Sequence, residues 1–240
     1  MGLNLTRKYS INFNLPKRST KQIKFLIIHY TGMIKEADAI ERLCDPKAKV
    51  SSHYFISNKG SIINLVPDLY EAWHAGKSGW KDFKSLNKYS IGIEINNPGH
   101  EYGYKNFSKK QIFSLVKLLK YLKKKYNIKK NNILGHSDIS PDRKKDPGEK
   151  FPWRYLAKKN LSIWHKLNKK KIKTFRNINL KNYEIKKFFN NLHKIGYSKV
   201  NRNKKKLEQS NLIKAFQRKF RQDLVNGKVD KECYLISKSL

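Results

Sequence analysis

The chain has 240 residues, 38% of them hydrophobic and 12% aromatic, enough for one catalytic-sized core plus a small second unit and too apolar for global disorder. It has nothing near the roughly 18 consecutive apolar residues of a spanning helix, and its first twenty residues lack the ~7–15-residue apolar run of a signal peptide, so no transmembrane segment and no export signal are expected. The 54 Lys and Arg against 18 Asp and Glu, net +36, favour polyanionic partners, although a Lys-, Asn- and Ile-rich mix also follows from genomic nucleotide bias, and Cys44 and Cys233 are too isolated for a disulfide framework or a Cys-based metal cluster.

Within residues 23–28, IKFLII, Phe25–Ile28 form a continuous apolar run, the pattern of a central strand buried on both faces. The run ends at His29, where a side chain can face a cleft. Residues 36–44 are predicted to form a short helix, and HYFISNKGSIINLVP two strands that turn at Asn58-Lys59-Gly60. SIGIEI, residues 90–95, alternates as a strand with Glu94 near its end and Asn97-Pro98-Gly99 as its stop. Ser108 and Gln111 form a capping box ahead of a helix in which Ile112, Leu115, Val116, Leu119 and Leu122 recur at helical spacing. This helix is expected to cover one face of the sheet. NNILG leads as a strand into His136, followed by a loop punctuated by Pro and Gly and a helix from near Trp153.

Strands mixed with covering helices predict an α/β domain with a mixed central sheet, assigned to residues 1–166. Residues 167–182 are expected to form a basic linker, since KLNKKKIKTF has no apolar periodicity. Residues 183–240 are expected to form a small all-α domain: amphipathic helices over 183–193 (Ile185, Phe188, Phe189, Leu192) and 208–220 (Leu212, Ile213, Phe216, Phe220), then a short closing helix.

His29 and His136 at two strand ends, with Asp146 ten residues beyond, have the chemistry of metal ligands. Two imidazoles, one carboxylate and an exchangeable water are an established catalytic zinc set. Singly, each has a duller account: a hydrogen-bonded strand-end His, or an Asp that forms a turn before Pro.

Five segments, IIHYTG, SSHYFISNKGSI, AWHAG, YSIGIEINNPG and GHSDISPDRKKDPGEKFPW, resemble in order and spacing the type 2 family of N-acetylmuramoyl-L-alanine amidases, over roughly residues 23–156. The resemblance implies a fold shared with peptidoglycan-recognition proteins and one Zn2+ held by His29, His136 and Asp146. It also implies catalytic roles for Glu94 and Lys144, the first as the base for the attacking water and the second as the cation facing the oxyanion. The implied substrate is the amide between N-acetylmuramic acid and L-alanine in peptidoglycan or muropeptides. Trp73 and His74 of AWHAG are candidate substrate-binding residues, because an aromatic ring and an imidazole suit a sugar-peptide ligand. His53 is expected to be a core residue rather than a fourth ligand, and Asp138 to orient the ligand loop as an outer partner.

FFNNLHKIGY, LIKAFQRKF and the segment around GKVDKECYLISKSL resemble the three-helix peptidoglycan-binding domain often attached to such amidases, through Leu192, Gly196, Tyr197, Ala215, Phe216 and Gln217. SKVNRNKKKLEQS replaces the Asp-Gly turn expected between the first two helices, and the alternative to wall binding is a bundle that only stabilises the enzyme. Two rival readings concern the whole chain. A non-catalytic peptidoglycan-recognition protein would be marked by a missing zinc ligand. A nucleic-acid binder is invited by the charge, but no recognised motif accompanies it, and neither a specific nucleic acid nor an oligomer is predicted. Location is open: the visible N-terminus points to the cytoplasm, a wall-binding tail to the cell envelope or periplasm.

Overall fold

The computed structural model describes residues 5–199 and 206–240. Strands β1 (Leu5–Arg7) and β2 (Phe13–Asn14) precede β3 (Phe25–Tyr30), helix α1 (Glu36–Cys44) and a hairpin of β4 (Tyr54–Ile56) and β5 (Ile62–Asn64). Short strands β6 (Glu71–Ala72), β7 (Gly79–Trp80) and β8 (Phe83–Lys84) lead to β9 (Ser90–Ile95), α2 (Lys109–Lys125), β10 (Ile133–Gly135), α3 (His136–Ile139) and α4 (Trp153–Lys158). Helices α5 (Lys169–Lys173), α6 (Asn182–Ile195), α7 (Lys206–Phe220) and α8 (Lys231–Lys238) follow. No helix among the described residues is long and apolar enough to cross a membrane.

The main sheet has six strands in the order β1-β5-β4-β9-β3-β10, parallel except between β4 and β5, which is the expected mixed α/β architecture. Successive side chains on a strand point to opposite faces, so the continuous apolar run of β3 feeds two cores, while alternating β9 gives its isoleucines to one. On one face Leu26, Ile28, Ile91 and Ile93 meet the α2 stripe of Leu115, Leu119 and Leu122 together with Trp153 of α4. On the other, Phe25, Ile27 and Leu134 meet Phe188 and Leu192 of α6 and Phe216 of α7. The helical tail is therefore seated on the sheet. Full burial of one such side chain is worth about 1.5–3 kcal/mol, so this face is a substantial part of the core.

The stretch expected as a basic linker is partly ordered helix. Asn168 accepts from the amides of Lys170 and Lys171, and α5 then buries Ile172 in the second core. One apolar residue leaves no periodicity to read, yet it suffices where neighbouring helices supply the rest of the core. The α6, α7 and α8 helices lie where they were expected. In the segment that replaces the Asp-Gly turn, residues 200–205 lie outside the described residues, as do residues 1–4 of the N-terminal stretch.

Candidate active site

The site lies at the C-terminal ends of β3 and β9, on the face shared by the tail and α1. Parallel pairing sets His29 opposite Glu94, so both side chains leave the sheet on the same face. His136 opens α3 directly after β10, and the Ser137 amide donates to the Asp146 carbonyl (2.8 Å), which folds the intervening loop back on itself. His29, His136 and Asp146 are all buried. Their Nδ1, Nδ1 and Oδ2 atoms form a triangle with sides of 2.9, 3.1 and 3.1 Å.

Outer partners determine which ring nitrogens carry protons. Ser90 donates its hydroxyl hydrogen to the Leu86 carbonyl (2.6 Å), so its Oγ accepts from His74 Nε2 (3.2 Å). His74 Nδ1 is then bare and accepts from His29 Nε2 (3.0 Å). That leaves His29 Nδ1 with a lone pair. The Ala75 carbonyl likewise takes the proton of His136 Nε2 (3.2 Å), which bares His136 Nδ1. Three electron-pair donors thus converge with no proton among them, an arrangement that needs a cation. A tetrahedral ion ~2.0–2.1 Å from each donor separates its ligands by about 3.3 Å, close to the observed spacing. The residues fit zinc.

Burial, with His136 nearby, lowers His29 to about 4, and burial keeps His74 well below its ordinary value, so both rings are neutral. Burial, helped by Asp146 and partly offset by Lys144, pushes Glu94 up to about 8, and its buried Oε2 has no hydrogen-bond partner among the described residues. A carboxylate oxygen left bare beside three metal-type donors suits a base that meets its partner only when water and substrate arrive.

A cleft of about 710 Å³ opens onto this group, lined by His29, Glu94, His136, Lys144 and Asp146, with Tyr102 and Ile34 exposed at the rim. Its size suits a sugar-peptide ligand. The structure thus gathers all five residues expected to act as ligand, base or cation.

The expectations for AWHAG change. His74 reaches the cleft, but its hydrogen bonds place it behind His29. Trp73 is not among the cleft-lining residues, and its Nε1 donates to Asn14 (2.9 Å). His53 is a core residue as expected: its Nδ1 accepts from the Gly92 amide (3.0 Å), and its Nε2 donates to the Tyr70 carbonyl (3.0 Å). Asp138 touches neither ligating imidazole. It accepts from the Gly135 amide, the Tyr197 hydroxyl and Lys219, the last two from the tail.

Sequence reasoning missed His100, which lines the cleft, bonds Tyr30 (2.8 Å) and Glu149 (3.1 Å), and stacks on Tyr104. Its only signal was its place directly after the Asn97-Pro98-Gly99 turn.

Gly92 explains how His74 reaches its position. A Cβ there would stand 2.4 Å from His74 Cγ, so the imidazole lies against bare backbone. Gly92→Ala is expected to displace His74 and weaken zinc affinity by about 10–100-fold, the usual cost of losing an outer partner of a ligating His. Chelator competition on the folded variant measures this, and wild-type affinity would refute the role assigned to His74.

Over residues 19–149 the sequence matches the family described as N-acetylmuramoyl-L-alanine amidase. N-acetylmuramoyl-L-alanine amidase AmiD of Escherichia coli strain K12 is 34% identical over 231 residues, 91% of this chain and 82% of that protein. The 1,6-anhydro-N-acetylmuramyl-L-alanine amidase AmpD of Haemophilus influenzae is 36% identical over 161 residues, 59% of this chain and 85% of that protein. The structure is similar to that of Escherichia coli AmiD in complex with the substrate anhydro-N-acetylmuramic acid-L-Ala-D-gamma-Glu-L-Lys, with a TM-score of 0.80 at 33% identity, covering 95% of this chain and 91% of that one. AmpDh3 of Pseudomonas aeruginosa, in complex with anhydromuramic pentapeptide, gives a TM-score of 0.80 at 28% identity over 95% of this chain and 94% of that one.

Proposed function

This chain belongs to the N-acetylmuramoyl-L-alanine amidase family, and on that basis we infer that it hydrolyses the amide joining N-acetylmuramic acid to L-alanine in peptidoglycan or muropeptides. The observation that carries the mechanism is the convergence of three unprotonated donors beside the bare oxygen of Glu94 in one cleft. His29, His136 and Asp146 would hold one zinc ion. When bound, zinc supplies a Lewis acid that acidifies water and polarises the scissile carbonyl.

The chain's own residues do the rest. Glu94 accepts a proton from the attacking water, whose oxygen bonds to the carbonyl carbon, and later returns a proton to the departing L-alanine nitrogen as the C–N bond breaks. Lys144, on the cleft wall, presents a fixed positive charge to the oxyanion that forms between these steps. Lys144→Met is expected to retain zinc and lower kcat by about 10²–10³-fold, the range for loss of one oxyanion-stabilising group. A variant with wild-type kcat would remove Lys144 from the reaction.

Two relatives bound to anhydromuramyl peptides support a soluble muropeptide as substrate. The deciding experiment is mass spectrometry of a purified muropeptide incubated with the protein, with and without chelator, alongside the protein's zinc content. Free stem peptide that appears only without chelator is the expected result. An intact muropeptide beside zinc-loaded protein would defeat the assignment. The recognition-only alternative lacks its mark, since all three donors are present.

We read residues 183–240 as a peptidoglycan-binding-like domain following a basic connection at 167–182, supported by the three helices α6, α7 and α8. Binding specific to the wall should persist in pelleting with purified sacculi at 1 M salt, where the Debye length is about 3 Å and charge attraction is screened. Release at that salt would leave only the chain's positive charge as the cause of binding.

A further inference from the structure

The tail does more than cover the sheet. Residues 136–151 carry two of the three metal-type donors, and their outward-facing polar groups are held by the end of α7. Lys219 Nζ donates to Asp138 Oδ2 (2.7 Å), and the Tyr197 hydroxyl, just beyond α6, donates to Asp138 Oδ1 (2.6 Å). The side chains of Lys219 and Asp138 are only 4% and 1% exposed. Lys219 also lies 4.3 Å from the centre of the Trp153 ring. Three residues on, Gln222 Nε2 donates to the carbonyls of Glu149 (2.7 Å) and Phe151 (2.6 Å). One end of the loop is thus held through α3 and the other through its own backbone.

We propose that Lys219, with Tyr197 and Gln222, is a positioning residue for the metal site: the tail clamps the 136–151 loop so that His136 and Asp146 keep the spacing a metal requires. This rests on the reading of His29, His136 and Asp146 as ligands. Asp138 is the lever. Its Oδ2 also accepts from the Gly135 amide (2.8 Å), directly before His136, so its position sets the start of α3. Without Lys219 the buried carboxylate loses its balancing charge, a costly state that the loop relieves by moving Asp138 towards water. That movement disturbs the turn that aims His136.

The test uses full-length Lys219→Met, Asp138→Asn and the double variant. Lys219→Met is expected to weaken zinc binding by about 10-fold or more, the range for outer partners of metal ligands. In the metal-free protein it should also speed amide hydrogen exchange at Ser137 and Lys144, whose amides bond within this loop (Ser137 to Asp146, Lys144 to Ser140). Adding Asp138→Asn removes the orphaned charge and should recover most of both effects, which general destabilisation would not do. If Lys219→Met does not fold, Tyr197→Phe and Gln222→Ala remove single bonds without stranding a charge and are read in the same way. A folded Lys219→Met protein with wild-type zinc affinity and wild-type exchange overturns the clamp. Failure of the wild-type protein to bind zinc overturns the ligand reading instead, and the exchange measurement still decides whether the tail holds the loop.

Discussion

Asp146→Ala removes zinc and hydrolysis together. Asp146 is the only anionic member of the donor triangle, and without it two neutral ring nitrogens remain where a catalytic zinc site needs three protein ligands. The affinity loss should exceed the ~10–100-fold typical of outer partners, taking metal content from about one ion per chain to near zero after dialysis. The main-chain link from Ser137 to the Asp146 carbonyl does not involve the side chain, so the loop keeps its course. Elemental analysis beside a muropeptide assay tests this, and a fully zinc-loaded variant would remove Asp146 from the ligand set.

Glu94→Gln separates metal from chemistry. The amide keeps the size of the side chain but cannot take a proton, so zinc content should stay at the wild-type level while kcat falls by about 10²–10⁴-fold, the range for a general base. A second signature appears in the metal-free protein. Because burial pushes Glu94 up to about 8, the folded state binds this proton more tightly than the unfolded chain does. The resulting stability is complete below the unfolded value near 4.5 and is lost as pH rises through about 8. Gln has no such proton to lose. The Tm of metal-free Glu94→Gln should therefore climb relative to wild type across that window, with no further relative change below it. Parallel Tm curves from about pH 5 to about pH 9 would contradict a desolvated carboxyl at Glu94.

Much of this was legible where the signal was local. The Ser108 and Gln111 side chains cap each other's backbone as the capping box requires, and α2 starts where expected. The apolar run of β3 became a central strand because it has a core on both faces, and alternating β9 lies beside it with its isoleucines in one core. The candidate donors, base and cation were read from motifs whose spacing the sheet preserves. Groups held by distant partners were hidden. Strands β2, β6, β7 and β8 are two residues long and exist through pairing, with no periodicity to read. The α5 helix rests on one buried side chain, Ile172. Asp138 sits inside a motif, yet its partners lie 59 and 81 residues away, and nothing in the motif names them. His74 pointed towards the cleft in both readings, but its task depends on a hydrogen-bond chain through Ser90 that only the fold assembles.

The pairing of His29 with Glu94 across β3 and β9 has a consequence for tolerance to mutation. Neighbouring strands lie about 4.8 Å apart wherever their ladder is intact, so the separation of the proposed ligand and base is a property of backbone spacing and not of how well the core is filled. A one-residue slip of either strand would turn its member of the pair to the opposite face, which leaves no partly shifted arrangement for the pair to occupy. Substitutions in the apolar layers under the sheet should therefore lower the fraction of folded molecules while each folded molecule works at full rate. In such variants robustness and turnover separate: heat resistance drifts, and the chemistry is either wholly present or absent.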